Sequence, residues 1–128
     1  MEQTPTHSEW YVMDCLWQHS PSTVMELVSA LSEKVGWAKS TTITTLRRME
    51  DKGLVTVEVR GRTKYYTPAL EREQAVRRET RSFLDRVYQG SVGLMVSAMA
   101  QEKTLSQEEI DALYAILKEP GFNPSVTS

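Results

Sequence analysis

Residues 37–68 read WAKSTTITTLRRMEDKGLVTVEVRGRTKYYTP, a helix pattern running almost directly into a hairpin pattern. Helical phasing over residues 41–52 puts Thr42, Thr45, Leu46 and Met49 on one face at the i, i+3/i+4, i+7 spacing. The opposite face carries Ile43, Thr44, Arg47 and Arg48, with Lys39 and Ser40 at the leading end. That outward set suits a DNA major groove. Hydroxyls and an amine can bond base edges, a methyl-bearing side chain can touch thymine, and guanidiniums can hold phosphates. Gly53 stands where a helix closes through a left-handed residue. Residues 54–59 alternate with β-branched side chains, Arg60-Gly61-Arg62 supplies a turn, and residues 63–67 return as a second strand until Pro68. A helix followed by a basic-tipped hairpin is the winged form of the helix-turn-helix. A helix packed on a hairpin with a merely solvated face would not account for an outward Ile43 or a turn flanked by two arginines.

Upstream, Thr6 or Ser8 can cap a first helix with Glu9 in its opening turn. Trp10, Met13, Leu16 and Trp17 form its apolar stripe, with Val12 beside it, and the helix stops before Ser20-Pro21. The capping box Thr23-x-x-Glu26 opens a second helix that faces Val24, Leu27, Val28 and Leu31 inward and ends near residues 34–36. Two short amphipathic helices, a groove-facing third and a wing make a three-helix DNA-binding head, expected over residues 1–67. Cys15 and His19 are four apart, a spacing that can place two metal ligands on one helical face. The only other histidine is His7 and there is no second cysteine, so neither a metal site nor a cofactor is expected.

Downstream, residues 70–88 read as a long charged helix with Val76, Phe83 and Val87 on one side and interleaved arginines and carboxylates on the other. Gly90 and Gly93 mark a break, after which Val92, Met95, Val96 and Met99 form a second stripe. Ser106-x-x-Glu109 is a capping box for a last helix whose inward residues are Ile110, Leu113 and Leu117, with Leu105 and Ile110 placed as a hydrophobic staple. Three such helices could close into a bundle on their own, but the apolar content is generous for so small a unit, and a large apolar stripe often continues across a partner. Residues 68–118 therefore read as a helical dimerisation domain and 119–128 as a flexible tail. The fold class is mainly α with a small β-hairpin. Two heads on one module would meet half-sites about 34 Å apart, or a multiple of that, on a palindromic operator.

The formal net charge of −2 would not by itself suggest a nucleic-acid partner. Its distribution does: residues 39–64 hold seven Lys or Arg against three Asp or Glu. A single cysteine allows no intrachain disulfide. The N-terminus lacks the basic and apolar regions of a secretory signal, and the longest mostly apolar run, residues 92–100, falls short of the roughly 20 residues a bilayer requires. A soluble, cytoplasmic protein with no membrane insertion is expected.

SEWYVMDCLW near the start, W-x-x-x-T-x-x-T-x-L-x-R-M-x-x-K-G from Trp37 to Gly53, KYYTP after the wing and LSQEEIDALYAIL near the end fall in the order of a known family. Together they resemble the penicillinase-repressor family over residues 8–118. The resemblance implies a winged-helix homodimer that represses transcription on a palindromic operator. It places DNA contacts at Lys39, Ser40, Thr41, Ile43, Thr44 and Arg48, with the wing at Arg60, Arg62 and Lys64. Thr42 and Thr45 stand where the family usually has core aliphatics. In β-lactam-responsive members a membrane sensor leads to cleavage in the dimer module, typically between Asn and Phe. The matching pair here is Ala98 and Met99, and the implied further partner is a membrane sensor or protease. The paired C-terminal cysteines of copper-responsive members are missing, which excludes copper sensing by that route.

Two other classes compete. A winged-helix interaction adaptor that leaves DNA alone fits the acidic overall charge, and a gel shift on random duplex at low salt separates it from a repressor. An enzyme finds no support: no nucleophile-and-base arrangement, phosphate-cradling glycine loop or paired carboxylates appears.

Overall fold

Two threonines fix where the first helices begin. Thr6 accepts from the Glu9 N–H at 3.2 Å while Glu9 accepts from the Thr6 N–H at 2.9 Å, closing a capping box on α1 (His7–Gln18). Thr23 and Glu26 repeat the arrangement for α2 (Val24–Val35), at 3.2 and 2.8 Å. The computed structural model describes residues 4–102 and 105–118, so the expected tail at 119–128 lies outside the described residues.

α3 (Lys39–Lys52) starts at Ala38 without a side-chain cap and ends on Gly53, whose φ of 77° is the left-handed closure its sequence position requires. β2 (Val55–Arg60) and β3 (Thr63–Pro68) form the antiparallel wing, Val57 opposite Tyr66, turning at Gly61 with φ 65°. The expected two-stranded hairpin is in fact part of a three-stranded sheet. β1 (Ser22–Thr23) pairs antiparallel with β3, Ser22 opposite Tyr66 and Thr23 opposite Tyr65, giving the order β1-β3-β2. A two-residue strand has no alternation to read, and Thr23 doubles as the cap of α2.

The head core is built from the faces that periodicity assigned to it. Val12, Met13 and Leu16 of α1, Leu27 and Leu31 of α2, and Leu46 and Met49 of α3 are buried with Leu54, Val55 and Tyr66. Trp10 and Trp17 are half-buried at its edge, packed edge-to-face with ring centroids 5.4 Å apart. Cys15 is buried, and burial pushes its thiol above the ordinary range.

The core continues past the expected boundary at residue 67. Leu70 and Ala75 are buried in it, and Trp17 Nε1 donates to the Leu70 carbonyl at 2.9 Å. Arg72 pairs with Asp14 at 2.9 Å and lies 5.4 Å from the Trp17 ring centre, in cation–π contact. The first compact unit thus runs from Met1 to Glu79 and takes in the start of α4 (Arg72–Tyr88). Leu70 lies just ahead of a charged helix and Ala75 is one small side chain within it, so neither announces itself in composition.

The second unit, Thr80–Ser128, holds the end of α4, then α5 (Val92–Gln101) and α6 (Gln107–Leu117). Gly90 closes α4 with φ 82°, whereas Gly93 lies inside α5 and marks no break. Ser91 and Ser106 cap α5 and α6 through the N–H groups of Leu94 and Glu109, both at 3.1 Å. Among the described residues of this unit none is buried. No helix among the described residues is long and apolar enough to cross a membrane.

Candidate nucleic-acid interface

A helix that buries one face must show the other to solvent, and α3 does so with the residues its phasing assigns. Thr42, Thr45, Leu46 and Met49 are buried. Lys39, Ser40, Thr41, Thr44, Arg47 and Arg48 are exposed, and Ile43 is half-buried. Both inward threonines carry a hydroxyl into the core. Thr45 Oγ1 donates to the Thr41 carbonyl at 2.7 Å, whereas buried Thr42 Oγ1 has no hydrogen-bond partner among the described residues.

The outward face divides into two flanks. On the α1 side, Ser40, Thr41, Thr44 and Arg48 line a groove of about 360 Å³ with Ser8 and Trp37. On the wing side, Ile43 and Arg47 line a smaller groove of about 190 Å³ with Lys64 of β3, Val24, Glu50 and Tyr66. Burial, reinforced by Glu50, pushes the Tyr66 phenol above its ordinary range, so it remains a neutral hydroxyl at physiological pH. The structure therefore brings nearly all the helix candidates onto one surface and sets Lys64 beside two of them. Lys39, Arg60 and Arg62 are exposed but line neither groove.

The three wing cations are not equivalent. Arg60 donates to Glu58 at 3.1 Å and lies 4.9 Å from the Tyr65 ring centre. The Arg60 hydrogen bond and charge hold the Glu58 carboxyl below its ordinary range. Arg62, in the turn, and Lys64 have no such partner among the described residues.

One residue of the surface escaped the pattern. Glu9 of α1 is fully buried, and its carboxylate accepts from Arg48 Nε at 2.9 Å and Lys52 Nζ at 2.6 Å. Burial alone would raise its pKa, but the bonds from Lys52, the Thr6 N–H and Arg48 outweigh that and hold it below the ordinary carboxylate range. Arg48, chosen for its outward phase, is thus both half-exposed and tied to α1. The readable signal was that Glu9 shares phase with Met13 and Leu16 on the buried stripe.

In the second unit, Phe83, Val87, Val92, Met99 and Leu117 are exposed, and Met95, Val96, Ile110 and Leu113 are half-buried. Ala98, the other half of the possible processing pair, is half-buried on α5.

This arrangement matches known proteins. The sequence profile of the penicillinase repressor family matches residues 5–119. The chain belongs to the penicillinase repressor family. It is 35% identical over 112 residues to the penicillinase repressor of Bacillus licheniformis, covering 88% of each chain. It is 24% identical over 110 residues to the methicillin resistance regulatory protein MecI of Staphylococcus aureus, covering 86% of this chain and 89% of that one. Among solved structures it resembles the DNA-binding domain of the repressor BlaI, with TM-score 0.52 and 30% identity over 58% of this chain and 93% of that one. A second match, TM-score 0.51 with the same identity and coverage, is monomeric BlaI of Bacillus licheniformis in complex with the blaP half-operator. Members of the penicillinase repressor family are regulators, which agrees with the failure to find catalytic machinery in the sequence.

Proposed function

We propose that this chain is a DNA-binding transcriptional repressor that acts in the cytoplasm as a homodimer on a palindromic operator. The observation that carries the reading is the exposed hydroxyl-and-cation face of α3 beside a basic wing, on a head similar to one solved with a half-operator. In this reading Ser40, Thr41, Ile43 and Thr44 meet base edges, while Lys39, Arg47, Arg48, Arg62 and Lys64 meet phosphates or guanine edges. Arg60, already engaged by Glu58 and Tyr65, shapes the wing more than it holds DNA.

The apolar residues of the end of α4 and of α5 and α6 meet their equivalents in a second copy, which supplies the full burial that none of the described ones from Thr80 on finds in one chain. Repression is relieved by a cut at Ala98–Met99 made by a membrane sensor or protease. α5 has no charged residue and carries the stripe Val92, Met95, Val96 and Met99, so a cut between the last two turns of that stripe removes the continuous face.

Binding to random and selected duplexes, titrated against salt, tests the reading. Replacing Arg62 with Ala should weaken both, whereas Thr44→Ala should cost about 1–3 kcal/mol on the preferred base alone. Equal losses on both duplexes for both variants would refute the assignment of Thr44 to base reading.

A further inference from the structure

α1 supplies none of the proposed base-reading side chains, yet its one fully buried carboxylate is directed at the helix that supplies them. Glu9 Oε2 accepts from Arg48 Nε at 2.9 Å, and Glu9 Oε1 accepts from Lys52 Nζ at 2.6 Å and from the Thr6 N–H at 2.9 Å. The site is asymmetric. Glu9 is fully buried, whereas the Arg48 side chain is 49% exposed. Arg48 is held by Nε alone. Its Nη groups have no partner among the described residues, and the side chain lines the groove with Ser40, Thr41 and Thr44. A guanidinium gripped at Nε turns one Nη N–H toward the same side as the grip, but its outer edge, made by one N–H from each Nη, lies opposite Nε and away from the carboxylate, because the fork is planar and rigid.

A carboxylate so close to a phosphate-facing surface is a liability for DNA affinity in general, since it cancels positive charge that would release counterions. Beyond capping α1 and pairing with Lys52, what its bond to Arg48 adds is orientation. An arginine already confined to one geometry gives up less rotamer freedom on binding, and only the sequence that fits that geometry benefits. We infer that Glu9 is a positioning residue for sequence recognition: by holding Arg48 at Nε, it presents the outer edge of that guanidinium to DNA beside Thr44. Preference for the correct sequence rises at some expense in binding to any sequence. This inference rests on the repressor reading.

The test uses the full chain and two probes: a duplex selected by the wild-type chain from a randomised pool, and a random duplex of the same length. Glu9→Gln keeps the shape and an acceptor for the Thr6 N–H but removes the charge. The ratio of selected to random affinity should fall about tenfold, the size of one good base contact, while random binding holds or tightens. In an Arg48→Ala background the same substitution should leave the ratio unchanged. Arg48→Lys is the second variant, because it leaves Glu9 paired with Lys52 and keeps the charge while removing the fork. It too should lower the ratio with random binding retained. The inference is overturned by an unchanged ratio in Glu9→Gln or in Arg48→Lys, or by an equal fall in the wild-type and Arg48→Ala backgrounds. A wild-type chain that binds neither duplex overturns the repressor reading itself, and with it this inference.

Discussion

Position 42 carries a hydroxyl where the fold has use only for a methyl. Thr42 is fully buried and its Oγ1 is unpaired among the described residues, so folding strips its water without replacement. Thr42→Val, which keeps the shape, should stabilise the head by about 1 kcal/mol, read as a higher urea midpoint with an unchanged slope. Thr45→Val should gain less, because the Thr45 hydroxyl already bonds the Thr41 carbonyl. Glu9 makes the opposite case. Its pKa in the folded chain lies below the ordinary glutamate range, so as pH falls the unfolded chain takes up the proton first. Its contribution is therefore complete above that range and lost as pH drops through it toward Glu9's own lower value. The difference in melting temperature between wild type and Glu9→Gln should narrow between neutral pH and about pH 3. A difference that stays constant would mean the ion pairs contribute nothing. The inward threonines were legible from phase alone. Glu9 carried the same signal of phase, but a glutamate three residues after a threonine reads as a cap, and the cap bond uses only part of what a carboxylate can accept.

At the scale of elements, α3 and the wing follow from sequence because the end of the helix and the turn of the hairpin each have a local chemical cause in a glycine of positive φ. Gly53 closes α3 at φ 77°, and a Cβ built there meets nothing within 4 Å. Gly53→Ala should therefore cost about 1 kcal/mol from the left-handed backbone alone, measured as a lower unfolding midpoint with DNA preference unchanged. The wing predicts an asymmetry. Arg62→Ala should lower affinity for random duplex and reduce the salt slope by about 1, whereas Arg60→Ala should do less, because Glu58 already neutralises its charge. Equal effects would place both side chains on phosphate. β1 stayed hidden for the opposite reason: its pairing with β3 is decided by tertiary contact, and two residues carry no period.

For the whole molecule, the two units differ in kind. The head closes around a core of its own, while the described part of Thr80–Ser128 buries nothing within one chain. The start of α6 was legible from Ser106 and the apolar stripes from spacing, whereas the cap at Ser91 was not read. The place where the head ends was not, since Leu70 and Ala75 join the core from a stretch whose composition is that of an exposed helix. A charge set into the stripe, as in Leu113→Arg, should convert a dimer into a monomer in sedimentation at micromolar concentration while the head keeps its melting temperature. In the proposed repressor, two copies of this chain read one symmetric DNA site through α3. Selection of duplexes from a randomised pool by the purified chain, followed by sequencing, tests it most directly. The expected result is enrichment of a two-fold symmetric sequence with half-sites about 34 Å apart, or a multiple of it. A pool that stays random, or an enriched site without symmetry, would contradict it.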